Sequence, residues 1–242
     1  MITSPQNPRL KHLRKLLSSA KERRATQTYV IETPRAITEI LNHNPDQILT
    51  LLFDRPHPIL DTVSHETTEV IEVAPDCFKT LHTLKTSPGI IAVAKIPQTQ
   101  APKTITTALY LEGLQSPANM GTIIRNAAAF GCSLIAYPQT SVDPYHPESV
   151  RASAGTLTKL PLLQISLTDL LQTYPEAKTF TLDSNQGENV FTLETLPTQR
   201  IIIIGGEKGF SQAHSTTALK IPMQNNVDSL NVATATGILL AQ

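Results

Sequence analysis

The sequence contains little cysteine and no long hydrophobic run, and both shortages limit what the protein can be. Among 242 residues only Cys77 and Cys132 carry thiols, and they lie far apart in apolar surroundings. Such positions are typical of buried thiols rather than of a disulfide or a metal site. No apolar run approaches the roughly 20 residues that cross a bilayer, and the stretch behind Met1 has no signal-peptide core. We therefore expect a soluble, cytoplasmic protein with no metal site and no membrane partner.

Net charge is also absent, since 20 basic residues balance 20 acidic ones. The balance is uneven along the chain: residues 9–24 hold seven Lys and Arg against Glu22 alone, which leaves 13 basic and 19 acidic residues elsewhere. Leucines recur at helical spacing between these cations, so the pattern predicts an amphipathic helix over residues 8–24 with one cationic face. Such a face can bind phosphates or can simply be solvated, and composition alone favours neither.

Strand and helix patterns alternate along most of the chain. Before residue 97 they predict strands at 29–32, 48–53, 69–73 and 89–94 and helices at 35–42 and 75–85. Residues 97–106, which include two prolines and lack periodicity, predict a linker. Beyond it the predicted strands lie at 108–112, 133–137, 160–164, 179–183 and 200–204, with a helix at 118–130. This alternation predicts an α/β fold in two domains, 1–96 and 107–242, with the isoleucine run of 200–204 buried in a parallel sheet.

Three segments follow predicted strands, where open α/β sheets bind their ligands. The first, Asn119-Met-Gly-Thr-Ile-Ile-Arg125, puts an arginine on a helix that begins with ordinary helix-start residues. The second, residues 205–211, is a glycine-rich turn around Glu207 that is neither a dinucleotide fingerprint nor a Walker loop. The third is Ile221-Pro-Met223, followed by Ser229-Leu-Asn231 at the start of a final helix rich in small residues. Each segment taken alone is explained by an ordinary helix start or turn. Only the three together indicate a functional site.

Together the three segments resemble the SpoU (TrmH-type) branch of the SPOUT RNA methyltransferases. The motifs of that family are Asn-x-Gly-x-x-x-Arg, a Gly-x-Glu turn, and Ile-Pro-Met followed by Ser-Leu-Asn-Val, and all occur here in that order. Residues 150–155 and Leu160-Pro161 also resemble the family's intermediate segment. The resemblance implies a trefoil-knotted α/β methyltransferase domain over 107–242, preceded by a small α/β, ribosomal-protein-like RNA-binding domain over 1–96. It implies that the RNA-binding residues include Arg9, Lys11, Arg14, Lys15, Arg23, Arg24 and Arg35.

The same resemblance implies the chemistry. The methyl donor would be S-adenosylmethionine, the acceptor a ribose 2′-hydroxyl of a structured RNA, and ribosomal RNA is expected ahead of transfer RNA. Arg125 would hold the target phosphate, and the family's assembly implies a homodimer. The implied catalytic residues are Asn119, Arg125, Glu207, Ser229 and Asn231, and the implied cofactor-binding residues, acting through their main chain, are Gly205, Ile221 and Leu230.

Two departures from the family pattern keep alternatives open. The turn around Glu207 is one residue shorter than the family's usual form and carries Lys208 in place of a glycine, and Thr33 follows Glu32 where a glycine is usual. The turn also resembles that of SPOUT enzymes that methylate a base nitrogen, and its shortness suits a non-catalytic RNA-binding protein. Three alternatives therefore stand beside the main interpretation: a transfer RNA substrate, base methylation, and RNA binding without catalysis.

Overall fold

A computed structural model describes residues 1–64, 66–183, 186–193, 196–205 and 217–242. In chain order the α-helices are α1 (Pro8–Ser18), α2 (Ala20–Thr26), α3 (Pro34–His43), α4 (Pro75–Phe78), α5 (Pro117–Ala129), α6 (Pro147–Ser153), α7 (Leu167–Thr173) and α8 (Val232–Leu240). The strands are β1 (Thr28–Ile31), β2 (Ile48–Phe53), β3 (Glu69–Glu72), β4 (Ile90–Lys95), β5 (Thr107–Glu112), β6 (Leu134–Tyr137), β7 (Leu162–Gln164), β8 (Lys178–Leu182), β9 (Glu188–Asn189), β10 (Arg200–Gly205) and β11 (Thr217–Lys220).

The chain forms two compact units. Residues 1–98 and 143–158 make the N-terminal unit, and residues 99–142 and 159–242 make the C-terminal unit. The N-terminal unit therefore includes α6, although that helix lies between β6 and β7 along the chain. The division into domains 1–96 and 107–242 with a linker at 97–106 stays a prediction from the sequence.

The N-terminal unit is built on a sheet with the strand order β1-β4-β2-β3. Strands β2 and β3 are parallel, and the other neighbours are antiparallel. The apolar face of α1, formed by Leu10, Leu13 and Leu16, packs with Phe78 and Leu81 in the core of this unit. Because each such side chain contributes roughly 1.5–3 kcal/mol when it is buried, the leucines fix which face of α1 is left for its cations.

The predicted helix over residues 8–24 is interrupted at Ser19, which corrects the sequence interpretation. Ser19 has an extended backbone, with φ −128° and ψ 111°, and its hydroxyl accepts a hydrogen bond from the Glu22 amide. A serine in that conformation is a favoured N-cap. The cations therefore lie on two short helices, α1 and α2.

The predicted helix over residues 75–85 is wrong beyond Phe78. The helix α4 has a single turn, after which the backbone bonds shorten to the i→i−3 type, from Thr80 to Cys77 and from Leu81 to Phe78. Such bonds belong to turns and 3₁₀ geometry rather than to a continuing α-helix. The segment therefore contributes Phe78 and Leu81 to the core of the N-terminal unit without continuing as a helix.

The C-terminal unit contains a parallel sheet with the strand order β7-β6-β5-β10-β8-β11-β9. Strand β10 lies between β5 and β8, and Ile201 to Ile204 are buried on both faces, which confirms the prediction for the isoleucine run. The strand β11 and the helix α7 were not predicted. In the register of β10 and β5, Gly205 lies opposite Glu112, so the carboxyl ends of both strands reach the same edge of the sheet.

Cys77 and Cys132 are both free and buried, which confirms the interpretation of both as buried thiols. Burial raises the pKa of Cys132 to about 11, so this thiol is protonated and unreactive near neutral pH. None of the helices in the described ranges combines the length and the apolar character of a membrane-spanning segment.

Candidate active site

The helix α5 begins at the carboxyl edge of the parallel sheet, directly after β5. Ser116 is its N-cap, with the serine hydroxyl accepting a hydrogen bond from the Asn119 amide, and Pro117 occupies the first turn. Serine at the cap and proline at the first helical position are both favoured there. This start places Asn119 in the first turn, next to the end of β5.

Asn231 joins the third sequence segment to the first. Its Oδ1 accepts hydrogen bonds from the amides of Ala233 at 2.9 Å and Thr234 at 3.3 Å, which makes it the N-cap of α8. Its Nδ2 donates to Oδ1 of Asn119 at 3.0 Å. Two predicted site residues that lie 112 positions apart in sequence are therefore in direct contact.

Close packing of α5 against α8 supports this contact. Asn126 donates from Nδ2 to the carbonyl oxygen of Ala233 at 3.0 Å. A Cβ added at Gly237 would come within 2.9 Å of that same Asn126 nitrogen, closer than real Cβ atoms come to other atoms. The absence of a side chain at Gly237 therefore lets α8 pack closely against α5.

Arg125 lies on α5 with its side chain exposed. It lies six positions after Asn119, a rise of about 9 Å along the helix axis. No ion pair holds Arg125 among the described residues. An exposed guanidinium without a carboxylate partner keeps its donors for a phosphate.

The other predicted site residues differ in their surroundings. Ser229 is exposed, and Leu230 is 36% exposed, in the segment that leads into α8. Ile221 is buried directly after β11, and Gly205 ends β10. Glu207 lies outside the described residues, so the structure gives no position for it.

Glu112 is a buried carboxylate at this edge that the sequence interpretation did not select. It ends β5 opposite Gly205 and is 8% exposed. Burial, and secondarily the Glu112 charge, raise the pKa of Tyr110 to about 12. The available signal was a single acid at the end of an otherwise apolar strand, Ala108 to Leu111.

The cations of the N-terminal unit are presented on α1 and α2. Lys11, Lys15, Lys21 and Arg24 are exposed, as is Arg35 on α3. Arg9 forms an ion pair with Glu69, and Arg14 donates to Oγ1 of Thr80 at 3.0 Å, while both keep solvent exposure. Exposed cations on one helix pair suit contact with a phosphate backbone.

Arg23 corrects the predicted set of RNA-binding residues. Its side chain is 2% exposed, its Nε donates to Oδ2 of Asp143 at 2.8 Å, and its Nη1 donates to the carbonyl oxygen of Leu16. A guanidinium with these partners in the interior of the N-terminal unit cannot reach RNA. Arg23 instead holds Asp143 against α1 and α2.

Family comparisons match both parts of the chain. Residues 106–241 match the SpoU rRNA Methylase family, and residues 7–92 match the MRM3-like substrate binding domain. The first match contains every predicted catalytic and cofactor-binding residue, and the second contains the cationic helices.

Relatives of similar length match almost the whole chain. An uncharacterized tRNA/rRNA methyltransferase of Synechocystis is 31% identical over 99% of this chain and 91% of its own length. The 23S rRNA (uridine(2479)-2′-O)-methyltransferase of Streptomyces viridochromogenes is 29% identical over 99% of this chain and 90% of its own. The solved SpoU methyltransferase AviRb from Streptomyces viridochromogenes, in complex with the cofactor AdoMet, superposes with a TM-score of 0.85 at 26% identity, covering 98% of this chain and 96% of that one.

Proposed function

The chain belongs to the SpoU rRNA Methylase family, and from this membership we propose that it methylates a ribose 2′-hydroxyl of ribosomal RNA with S-adenosylmethionine as the methyl donor. The observation that carries the proposal is the hydrogen bond between Asn119 and Asn231 at the carboxyl edge of the parallel sheet. It joins the family's first and last motifs, with Arg125 on the same helix as Asn119.

The residues at the carboxyl edge of the sheet fit S-adenosylmethionine. Gly205 and Ile221 lie where main-chain N–H and C=O groups leave β10 and β11, a usual place for a ligand in an open α/β sheet. Ile221 supplies an apolar surface, and Leu230 leaves part of its side chain uncovered. When bound, this cofactor supplies a methyl group that is already activated on a sulfonium.

The reaction needs the acceptor oxygen to be positioned and its proton to be removed. With S-adenosylmethionine held by Gly205, Ile221 and Leu230, the 2′-oxygen would accept the activated methyl group in exchange for its proton. Arg125 holds the adjacent phosphate and stabilises the developing alkoxide, while Asn119 and Ser229 orient the ribose. Arg125 does not act as the base, because a guanidinium has a pKa above about 12. The proton passes to a phosphate oxygen that Arg125 orients.

Ribosomal RNA is the first substrate to test, because the Streptomyces viridochromogenes relative carries the name of a 23S rRNA 2′-O-methyltransferase. Transfer RNA is the second, because the Synechocystis relative is named for both RNAs. We further propose a homodimer with the site at its interface, as the family resemblance implies. Sedimentation equilibrium would contradict this if the protein stayed monomeric at micromolar concentration.

Transfer of radiolabelled methyl groups to separately purified ribosomal and transfer RNA tests the proposal. Alkali-resistant 2′-O-methyl dinucleotides from one RNA identify sugar methylation and the substrate class. Label on a base would instead support base methylation. RNA binding without label and without S-adenosylmethionine binding would favour the non-catalytic alternative.

Arg125→Ala is the matched variant for this experiment. We expect it to abolish methyl transfer while leaving S-adenosylmethionine affinity, measured by calorimetry, within about twofold of wild type, because the lost guanidinium contacts RNA and not the cofactor. Retained turnover would remove Arg125 from the mechanism.

A further inference from the structure

The segment 143–158 packs in the N-terminal unit, although it lies within the residues that match the methylase family. It contains α6 and the motif Arg151-Ala-Ser-Ala-Gly155. At Gly155 (φ +90°) an added Cβ would lie 2.7 Å from the Glu39 side chain, so the segment approaches α3 closely. The unit that presents the cationic helices therefore also presents α6.

Two ion pairs hold the segment in this unit. Asp143, just before α6, accepts from the buried Arg23 at 2.8 Å. Arg151, on α6, lies 3.4 Å from Oε2 of Glu32, whose side chain is 1% exposed. Both pairs combine one residue from the segment with one residue of opposite charge from the N-terminal part of the chain.

The Arg151 guanidinium is oriented but remains partly in solvent. Its Nη1 reaches both Oε2 of Glu32 and, at 3.2 Å, Oγ1 of Thr83. Thr83 in turn donates from its amide and its hydroxyl to the Glu32 carboxylate. The Arg151 side chain is 35% exposed, and within the described chain its Nε and Nη2 have no partner.

This arrangement differs from that of Arg23. The Arg23 side chain is 2% exposed and donates hydrogen bonds to Asp143 and to the Leu16 carbonyl oxygen, as a structural arginine does. One nitrogen of Arg151 donates to a buried carboxylate, and its other two nitrogens have no protein partner among the described residues. A planar guanidinium held from one side is suited to two parallel hydrogen bonds with phosphate oxygens.

His146 lies near both arginines, and its pKa is lowered by burial first and then by the charge of Arg23, with a smaller effect of Arg151. The nearby acids Asp143 and Glu148 oppose this shift without reversing it. Basic and acidic groups therefore surround α6 together, and the unpartnered donors of Arg151 are what remains for a phosphate.

We propose that Arg151 binds a backbone phosphate of the RNA substrate, and that Glu32 and Thr83 are positioning residues that hold its guanidinium for this contact. The inference rests on the proposed function and extends it, because it adds α6 to the RNA-binding surface formed by α1 and α2. It also explains why a carboxylate is buried at Glu32: the charge fixes an arginine that must face outward.

The test compares Arg151→Ala with Arg151→Lys in binding to a large-subunit ribosomal RNA transcript, measured at several salt concentrations without cofactor. We expect Arg151→Ala to weaken binding about tenfold at 0.1 M salt, the loss typical of a hydrogen bond to a charged group. The slope of log affinity against log salt should fall by about one, because one phosphate contact is lost. Arg151→Lys should keep the wild-type slope with an affinity between the two, since its ammonium retains the charge but not the fork.

Lys79→Ala is the matched control, because Lys79 is an exposed cation of the same unit, is paired with Asp76 and has no role in the proposal. It should keep both the affinity and the slope. For the positioning role, Glu32→Gln should raise the KM for RNA with little change in kcat or in the KM for S-adenosylmethionine. A wild-type salt slope in folded Arg151→Ala, or a fall in kcat alone for Glu32→Gln, would overturn the inference.

These outcomes are separable from those of the proposed function. If the wild-type protein methylates RNA while Arg151→Ala binds it as wild type does, the inference about Arg151 fails alone. If the wild-type protein binds RNA but transfers no methyl group, the proposed function fails, and the salt slopes still decide whether Arg151 contacts phosphate.

Discussion

The Asn231 carboxamide contacts two elements of the C-terminal unit at once. Its oxygen caps α8 and its nitrogen donates to Asn119 in the first turn of α5. Ser229 and Asn231 both lie near the start of α8, where either side chain is a suitable N-cap. The structure assigns the cap to Asn231, so the exposed Ser229 is left for another role.

The two contacts of Asn231 can be separated by comparing Asn231→Ser with Asn231→Ala. Serine is as good an N-cap as asparagine but is too short to reach Asn119, so unfolding free energy should stay close to wild type. Alanine loses the cap as well and should cost about 1 kcal/mol. Both variants should lose methyl transfer to a similar degree, because both lose the donor to Asn119.

Urea unfolding and single-turnover methyl transfer measure these two effects independently. If Asn231→Ser retained wild-type turnover, the bond to Asn119 would have no part in catalysis. A full loss of stability in Asn231→Ser would show instead that the bond to Asn119 is structural.

The sequence shows which residues carry charge, but it does not show which residues they form ion pairs with. Arg23 and Arg24 are adjacent and look equivalent, yet one is buried and the other exposed. A signal was available, since Arg23 lies seven positions after Leu16 and would share the apolar face of a continuous helix. The decisive partner, Asp143, is 120 positions away, and no local pattern reveals it.

At the scale of elements, prediction worked where burial alone determines the pattern. The isoleucine run of β10 is buried on both faces and is a strand as predicted. The helix predicted at 75–85 failed because the apolar residues Phe78 and Leu81 face the core from a turn, and periodicity does not distinguish a turn from a helix over such a short span.

Contact between α5 and α8 depends on the absence of a side chain at Gly237. In Gly237→Ala the new Cβ would lie 2.9 Å from Nδ2 of Asn126 and would disturb its hydrogen bond to the Ala233 carbonyl. The atoms in the way belong to the end of the Asn126 side chain, which can turn aside, so we expect the loss of its hydrogen bond to lower the unfolding free energy by about 1 kcal/mol, partly offset by the higher helix propensity of alanine. Chemical denaturation measures it.

The double variant Asn126→Ala/Gly237→Ala provides the control for this clash. Removing the Asn126 carboxamide opens the space that the new methyl group needs, so the double variant should lose less stability than the two single variants added together. If the stability losses of the two single variants simply added in the double variant, the clash with Asn126 would not be the cause of the Gly237→Ala loss.

The start of α6 makes stability depend on pH through His146. Its Nδ1 accepts a hydrogen bond from the Glu148 amide, which requires the neutral ring. Burial first, and then the charge of Arg23, lower the pKa of His146 below its ordinary value of 6.5, against Asp143 and Glu148 and with a further contribution from Arg151. The neutral ring is thus favoured by folding, and its stabilisation is present above pH 6.5 and lost as pH falls through the lowered pKa.

We therefore expect thermal stability of the wild-type protein to fall more steeply below pH 6.5 than that of His146→Asn. Asparagine retains the N-cap and removes the titration. Melting temperatures at pH 7.5, 6.5 and 5.5 give the comparison. Parallel pH profiles for the two proteins would show that protonation of His146 does not limit stability.

At the scale of the whole molecule, the two compact units do not follow the order of the chain: one segment from the middle of the sequence belongs to the N-terminal unit. The sequence indicates an α/β fold and an N-terminal cationic region, and the family match supports both parts. The sequence does not reveal that residues 143–158 leave the parallel sheet after β6 and pack in the N-terminal unit. Long-range contacts accompany that arrangement, among them the ion pairs of Asp143 and Arg151 with residues more than 100 positions away and the ring contact of Tyr145 with Tyr29. Hydrophobic periodicity does not reveal such partners.

A protein of zero net charge should still bind RNA with a strong salt dependence, because exposed cations outnumber acids on the helices α1 and α2. Lys11 and Lys15 lie one turn apart on the face of α1 opposite its buried leucines, and both are exposed. In Lys11→Ala/Lys15→Ala we expect the slope of log affinity against log salt to fall by about two, with kcat at saturating RNA unchanged. Lys79→Ala/Lys95→Ala removes the same charge from exposed positions of the same unit outside α1 and α2 and should leave the slope near wild type. If both double variants changed the slope equally, overall charge would govern RNA binding, and the helix pair would have no special part in it.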